Sequence, residues 1–357
     1  MMDRRSFSLS LGAAGLAAAQ DPGVIRVETR RVVAPTSVLD KSGSFVSGLD
    51  KSNFTIFDNG KKQEIDNVDI SFIPISLVVC IQRSANTEKV LPSIMRIGSM
   101  FEGVITGDQG EIAIMSFDHR IEVMQDFTID TKLISDALSK LRPGSDTRRM
   151  NDAVMQATRM LGRRDRGNNR RKVILLIAET QDRGSEIKIR EVLRQLEVDN
   201  VTVYPVNMSR WVNQLAARTP VPRPDPIPNT ARVLPGGAAN TPTTVMQNYG
   251  TGGGFGNYAV LIKEVFTAVK AVFIDNPQEV YAKYTGGREH NFVGLKGLEE
   301  AIQKVGDELH SQYLLSYNPT AEVRAEGGWH AIQVEVNKKG LDVRTRAGYW
   351  AAAKFDP

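Results

Sequence analysis

Two apolar runs constrain this chain more than anything else in it. Residues 74–81 (PISLVVCI) and 173–178 (VILLIA) carry almost no polar residue. Each therefore reads as a strand buried on both faces, as in a parallel sheet with helices packed on either side. The sequence between and after them alternates strand with helix. Val90, Ile94, Ile97, Phe101 and Val104 fall at helical spacing, residues 112–117 form a strand, and 133–141 and 154–161 form helices. Ser185 is placed to cap a helix containing Ile187, Val192, Leu193 and Leu196, and residues 201–206 close the series as a strand. The expected fold class is α/β, with a mostly parallel sheet wrapped by helices.

Both ends of the chain read as β structure. In residues 24–70, Ile25, Val27 and Thr29 alternate with polar neighbours, and 32–38 add a second stretch. Phe54-Thr55-Ile56-Phe57 then runs through Asp58-Asn59-Gly60 into residues 61–65, and Asn-Gly between such arms signals a type I′ hairpin. Residues 311–351 supply further strands at 312–317, 329–336 and 341–346, ending on Gly348-Tyr349-Trp350. The two ends are expected to pair into one small β-sandwich-like module around the α/β domain of residues 72–309. Within that domain, 209–257 break the pattern: alternate prolines from Pro220 to Pro228 and glycine enrichment at 250–256 indicate a mobile insertion. Helical periodicity resumes over 260–273, and a last helix is expected near 298–309.

A length of 357 residues suits two domains, and 41% hydrophobic with 24% charged residues is ordinary for a globular protein. The net charge of +4 gives no case for a nucleic-acid partner. Residues 1–20 read as a twin-arginine-type signal peptide: Arg4-Arg5-Ser6-Phe7, a short Ala/Gly-rich stretch, then Ala17-Ala18-Ala19. That implies an exported, periplasmic or extracellular protein. The stretch is too short to span a bilayer, and no longer apolar segment follows. Cys80 is the single cysteine, so no internal disulfide can form, and its place in an apolar strand suits a small buried hydrophobe.

The first apolar run ends abruptly in Gln82-Arg83-Ser84-Ala85-Asn86, a polar loop beyond the carboxyl end of a strand, where open α/β sheets bind ligands. The layout resembles the first strand and metal loop of von Willebrand factor A-type domains, whose loop reads Asp-x-Ser-x-Ser. Further matching features are the hairpin Ser52–Gln63, Pro74-Ile75-Ser76, Phe117-Asp118, Thr285-Gly286-Gly287, Ser311-Gln312-Tyr313 and Arg346-Ala347-Gly348-Tyr349. In that order, from about residue 25 to 351, they resemble the bacterial VWFA-related proteins of the acidobacterial kind. The resemblance implies a Rossmann-like, doubly wound von Willebrand A domain beside a β module. In relatives with a full site, such a domain binds a divalent ion that bridges to a partner's carboxylate.

Residue by residue, that metal site reads as degenerate. A hard divalent cation wants oxygen ligands and at least one carboxylate. Gln82 stands in place of the first Asp, Ser84 keeps its position, and Asn86 replaces the second Ser. Thr147 is the second-loop candidate, about one residue from the family spacing, and Glu179 takes the third-loop Asp position with one more methylene. No metal or other cofactor is expected; magnesium or another divalent cation is the alternative. Arg83, Arg148 and Arg149 add positive charge to the same rim. With Asp182 they are the candidate partner-binding residues, the arginines standing in for the ion toward an anionic or carboxylate partner.

No enzyme site emerges. The four histidines, His119, His290, His310 and His330, lack metal-ligand spacing, and Asp118-His119 has no serine in a Gly-x-Ser-x-Gly turn. The basic run from Arg163 to Lys172 suits a solvated loop, or contact with anionic glycan or lipid. The expectation is an exported, non-enzymatic protein-binding or scaffold protein acting through the loop edge of the sheet. The alternatives are a metal-dependent adhesin with a variant site and an enzyme with a site between the two modules.

Overall fold

The computed structural model describes residues 31–69, 73–164, 170–217 and 276–351. Its strands near the amino end are Val32–Leu39 (β1), Phe54–Asp58 (β2), Lys61–Gln63 (β3) and Ile65–Asp69 (β4). Asn59 and Gly60, between β2 and β3, have φ of 49° and 78°, the positive values that a type I′ turn demands. The α/β block follows with Ile75–Gln82 (β5), Glu111–Phe117 (β6), Ile121–Thr128 (β7), Arg171–Ala178 (β8), Val201–Asn207 (β9) and the short His290–Asn291 (β10). Its helices are Leu91–Arg96 (α1), Gly98–Met100 (α2, running into a π-helical turn at Phe101–Thr106), Thr131–Ser139 (α3), Met150–Arg164 (α4), Ile189–Val198 (α5), Ser209–Ala217 (α6), Pro277–Thr285 (α7) and Gly294–Ser311 (α8). Tyr313–Tyr317 (β11), Ala321–Glu326 (α9), Gly328–Val336 (β12), Asp342–Thr345 (β13) and Gly348–Ala351 (β14) complete the described chain.

The central sheet has the order β10-β9-β8-β5-β6-β7, parallel except for the antiparallel edge strand β7. Every residue of β5 is buried. Its period of two divides the core: Leu77, Val79 and Ile81 face Ile94, Leu138 and Ile302 of α1, α3 and α8, while Val78 and Cys80 face Val154, Leu196 and Tyr281 of α4, α5 and α7. Burial pushes the Cys80 thiol well above its ordinary range, so it serves as a core side chain.

The chain ends meet as the alternating patterns require. One antiparallel sheet has the order β13-β1-β11-β4 and the other β14-β12-β2-β3, and each combines strands from both ends of the chain. Ala34, Val38, Ile56, Leu315, Tyr317 and Val334 lie in the core between them. Polar contacts seat this module on the α/β block. Gln312, at the end of α8, donates to Ser37 Oγ (3.2 Å) and accepts from the half-buried Arg171, while Arg344 of β13 meets Glu308 of α8 at 2.6 Å. Tyr313 Oη then donates to Val46 O at 2.8 Å and accepts the Leu49 N–H at 3.1 Å.

Several elements differ from the sequence expectation. Strand β7 escaped it because a half-exposed edge strand with two register shifts has no clean alternation. Helix α4 starts at Met150 rather than 154, since polar Asn151 and Asp152 in its first turn are buried by specific hydrogen bonds. The region expected as an insertion from residue 209 opens with α6, whose Val212 packs on the core. Beyond Thr285, β10 pairs with β9; Gly287 is required there, because a Cβ would collide with the Val203 carbonyl. The expected leader, residues 24–30, the expected insertion from residue 218 and the periodicity over 260–273 lie outside the described residues. Among the described residues no helix is long and apolar enough to cross a membrane.

Candidate functional site at the loop edge of the sheet

The carboxyl ends of β5 and β8 bring Gln82 and Glu179 together. Both are buried, and they bond reciprocally. The Glu179 backbone N–H donates to Gln82 Oε1 at 2.8 Å, and Gln82 Nε2 donates to Glu179 Oε2, also at 2.8 Å. The same Nε2 donates to Ser84 Oγ at 2.7 Å. These partners fix the amide orientation, because reversing it would set Nε2 against an N–H and Oε1 against a carboxylate oxygen.

Arg148 reaches the same carboxylate, with Nη1 3.3 Å from Glu179 Oε2. It is aimed there by the backbone. Arg148 and Arg183 exchange N–H···O bonds of 2.8 and 2.9 Å, which pins the second loop to the third. Asp182 holds the start of α4: its Oδ1 accepts the backbone N–H groups of Met150 (2.8 Å) and Asn151 (3.3 Å) and the Ser185 hydroxyl (2.6 Å). Burial raises the Asp182 carboxyl above its ordinary value against the pull of those donors.

The remaining candidate residues scatter around this centre. Arg83 turns to Glu122 (3.2 Å) and Asp118 (3.7 Å), and Arg149 to Asp152 (2.7 Å) and Glu186 (2.9 Å). Of the three arginines expected to charge this rim, Arg83 and Arg149 are engaged sideways by neighbouring carboxylates, and Arg148 pairs with the buried Glu179. Asp182, expected as a partner contact, caps the start of α4. Thr147 lies with its methyl beside Gly184, and Asn86 is exposed on the short turn Ala85–Thr87.

These donors do not fit a divalent ion. The one carboxylate oxygen aimed at the centre already receives an amide N–H and a guanidinium, and the Gln82 carbonyl is spent on a backbone N–H. Cationic and N–H groups at that point repel a hard cation rather than replace its hydration shell.

Other polar groups that the sequence reading missed stitch the edge together. Gln278 of α7, fully buried, donates to Glu179 O at 2.9 Å. Ser209 Oγ accepts the Thr180 N–H at 2.7 Å, and Asn207 Nδ2 reaches Thr180 Oγ1 (2.8 Å) and Glu289 Oε1 (2.7 Å). The usable signal was Asn207 and Ser209 at a strand end, followed by Trp211, Val212 and Leu215 at helical spacing. Between the Ala85–Thr87 turn and α6 opens a cleft of about 550 Å³, with Asn86, Gln181 and Asn213 on its walls, Val212 on its apolar side and the Arg148–Glu179 pair at its end.

Asp118 and His119 lie on the same edge without forming a relay. Burial works against the Asp118 charge, but the backbone N–H groups of Arg120 and Ser145 and the Arg83 guanidinium outweigh it and lower its pKa. His119 Nδ1 stands 3.1 Å from Asp118 Oδ2 and 2.9 Å from Ser145 Oγ. A serine hydrolase needs the carboxylate and the serine on opposite ring nitrogens, whereas here one nitrogen faces both.

A doubly wound sheet whose polar loops converge beyond the ends of β5 and β8 is an open α/β fold. The family described as von Willebrand factor type A domain matches residues 78–181, from β5 through the third loop. The chain is similar to the vWF domain of the type V pili tip protein Mfa5 from Porphyromonas gingivalis, at 20% identity over 31% of this chain and 39% of that one, with a TM-score of 0.27. It is also similar to the conserved hypothetical protein BatB from Bacteroides thetaiotaomicron, at 16% identity over 38% of this chain and 67% of that one, with a TM-score of 0.29. The chain thus spans about two fifths of the first of these structures. No curated protein matches it.

Proposed function

We propose that this is an exported, non-enzymatic binding or scaffold protein that engages a protein partner through the loop edge of its von Willebrand A domain, without a tightly bound metal. A domain of this type suggests a protein-interaction or adhesion-type role. The observation that carries the metal-free part is the occupation of Glu179 Oε2 by Gln82 Nε2 and Arg148. The cleft beside them, lined by Asn86, Gln181, Asn213, Glu88 and Lys89 with Val212 as an apolar contact, suits a polar segment of a partner. Export rests on the leader pattern of residues 1–20.

Calorimetric titration of the mature protein with magnesium, manganese and calcium tests the reading. No binding is expected up to millimolar ion. Micromolar binding that disappears in Glu179→Ala would overturn it and restore a cation-bridged adhesin.

A further inference from the structure

We propose that Arg148 is a resident cation: its guanidinium supplies the positive charge that Glu179 needs, so the three loops of the binding edge are assembled permanently and no soluble ion can switch them. This deepens the metal-free reading above and rests on it. Glu179 is 6% exposed and Arg148 7%. A carboxylate buried to that degree needs several hydrogen-bond donors or a counter-charge to offset its desolvation. Gln82 cannot provide one, since it gives the carboxylate a neutral N–H alone. Among the described residues, the cation within ion-pair distance of Glu179 is Arg148, at 3.3 Å.

Two further observations single out the charge of Arg148 as its role. Its Nε is buried without a hydrogen-bond acceptor, so the side chain is not there for ideal polar packing. Its backbone is clamped to Arg183 of the third loop, which fixes the guanidinium beside the Glu179 carboxylate that also receives Gln82 of the first loop. Tethering the charge to the chain makes its local concentration independent of the medium, and a divalent ion would have to expel it to reach Glu179. Regulation of this edge by cation supply is therefore absent by construction, and partner binding is indifferent to chelators.

Thermal denaturation of the wild type, Arg148→Ala and Arg148→Lys, each with and without 10 mM (about tenfold over a weak ion site) manganese or magnesium, tests the assignment. The wild type and Arg148→Lys should melt at the same temperature with and without ion, since an ammonium supplies the same charge. Arg148→Ala should melt lower, and the ion should raise its midpoint by about 2–5 °C. A folded Arg148→Ala whose midpoint ignores the ion, or an Arg148→Lys that responds as Arg148→Ala does, overturns the proposal. If Arg148→Ala does not fold, the double variant with Glu179→Gln decides. Recovery of folding when both charges are gone supports the pairing, and failure to recover overturns it. The two readings fail separately: an ion response in the wild type removes the metal-free function, whereas silence in both the wild type and Arg148→Ala removes only the resident cation.

Discussion

Asp58 in the β module and Glu179 at the loop edge are both buried carboxylates, yet their surroundings solve the same problem in opposite ways. Asp58 is fully buried and ringed by donors from three other strands. Tyr317 Oη and Tyr349 Oη donate to Oδ2 at 2.8 and 2.7 Å, and His330 Nδ1 faces Oδ1 at 2.8 Å. Burial, with Asp58 alongside, raises both phenols far above their ordinary range, so they remain donors at any physiological pH. His330 stacks on Tyr349 with ring centroids 4.9 Å apart. This knot ties β2, from one chain end, to β11, β12 and β14 from the other, and its groups lie inside the sandwich. Glu179 is held instead by one amide and one guanidinium, and its other side lines a cleft. A closed knot joins distant parts of a chain; an open one leaves a polar group where a partner can reach it.

The contrast is sharpest under isosteric neutralisation. Asp58→Asn puts an N–H₂ where a carboxylate oxygen now accepts, and should cost about 3 kcal/mol in urea unfolding. Glu179→Gln leaves Arg148 beside a solvent-accessible cleft and should cost less, about 1–2 kcal/mol. Equal costs for the two substitutions would erase the distinction between closed and open knots. Tyr349→Phe removes one donor of three from Asp58 and should cost about 1 kcal/mol, measured the same way. A neutral result there would mean that the remaining donors suffice.

The smallest effect at neutral pH concerns a third buried group. His290, on β10, has its pKa lowered from 6.5 to about 3, first by burial and then by Arg288, Lys304 and Arg344. Between those values the unfolded chain binds a proton that the folded chain does not. Its contribution is therefore complete above about pH 6.5 and is lost as pH falls toward 3. His290→Gln should flatten the acid limb of the stability profile between those limits while changing little at pH 8; an unaltered slope would assign acid sensitivity to other groups.

Much of the fold was legible because its signals are local. Two runs buried on both faces require a covered parallel sheet, and Asn59-Gly60 requires a hairpin whatever surrounds it. Strand β7 was not legible, because its partner β6 and its register shifts, rather than its own alternation, define it. At the loop edge, the positions of Gln82 and Glu179 could be read from strand ends, but the directions of the arginines could not. Arg148 and Arg149 are adjacent in sequence, yet one enters the centre and the other lies along Asp152 and Glu186.

The sequence by itself determined most of the strands and helices, and that oxygen- and nitrogen-bearing side chains would gather beyond β5 and β8, since periodicity and residue type act over a few neighbours. The tertiary structure alone decided which donor meets which acceptor. Glu179 finds Gln82 across 97 positions and Asp58 finds Tyr349 across 291. Such pairings depend on the backbone bridge at Arg148, the cap at Asp182 and the pairing of the two chain ends, and these fix side-chain direction only once the whole chain is packed.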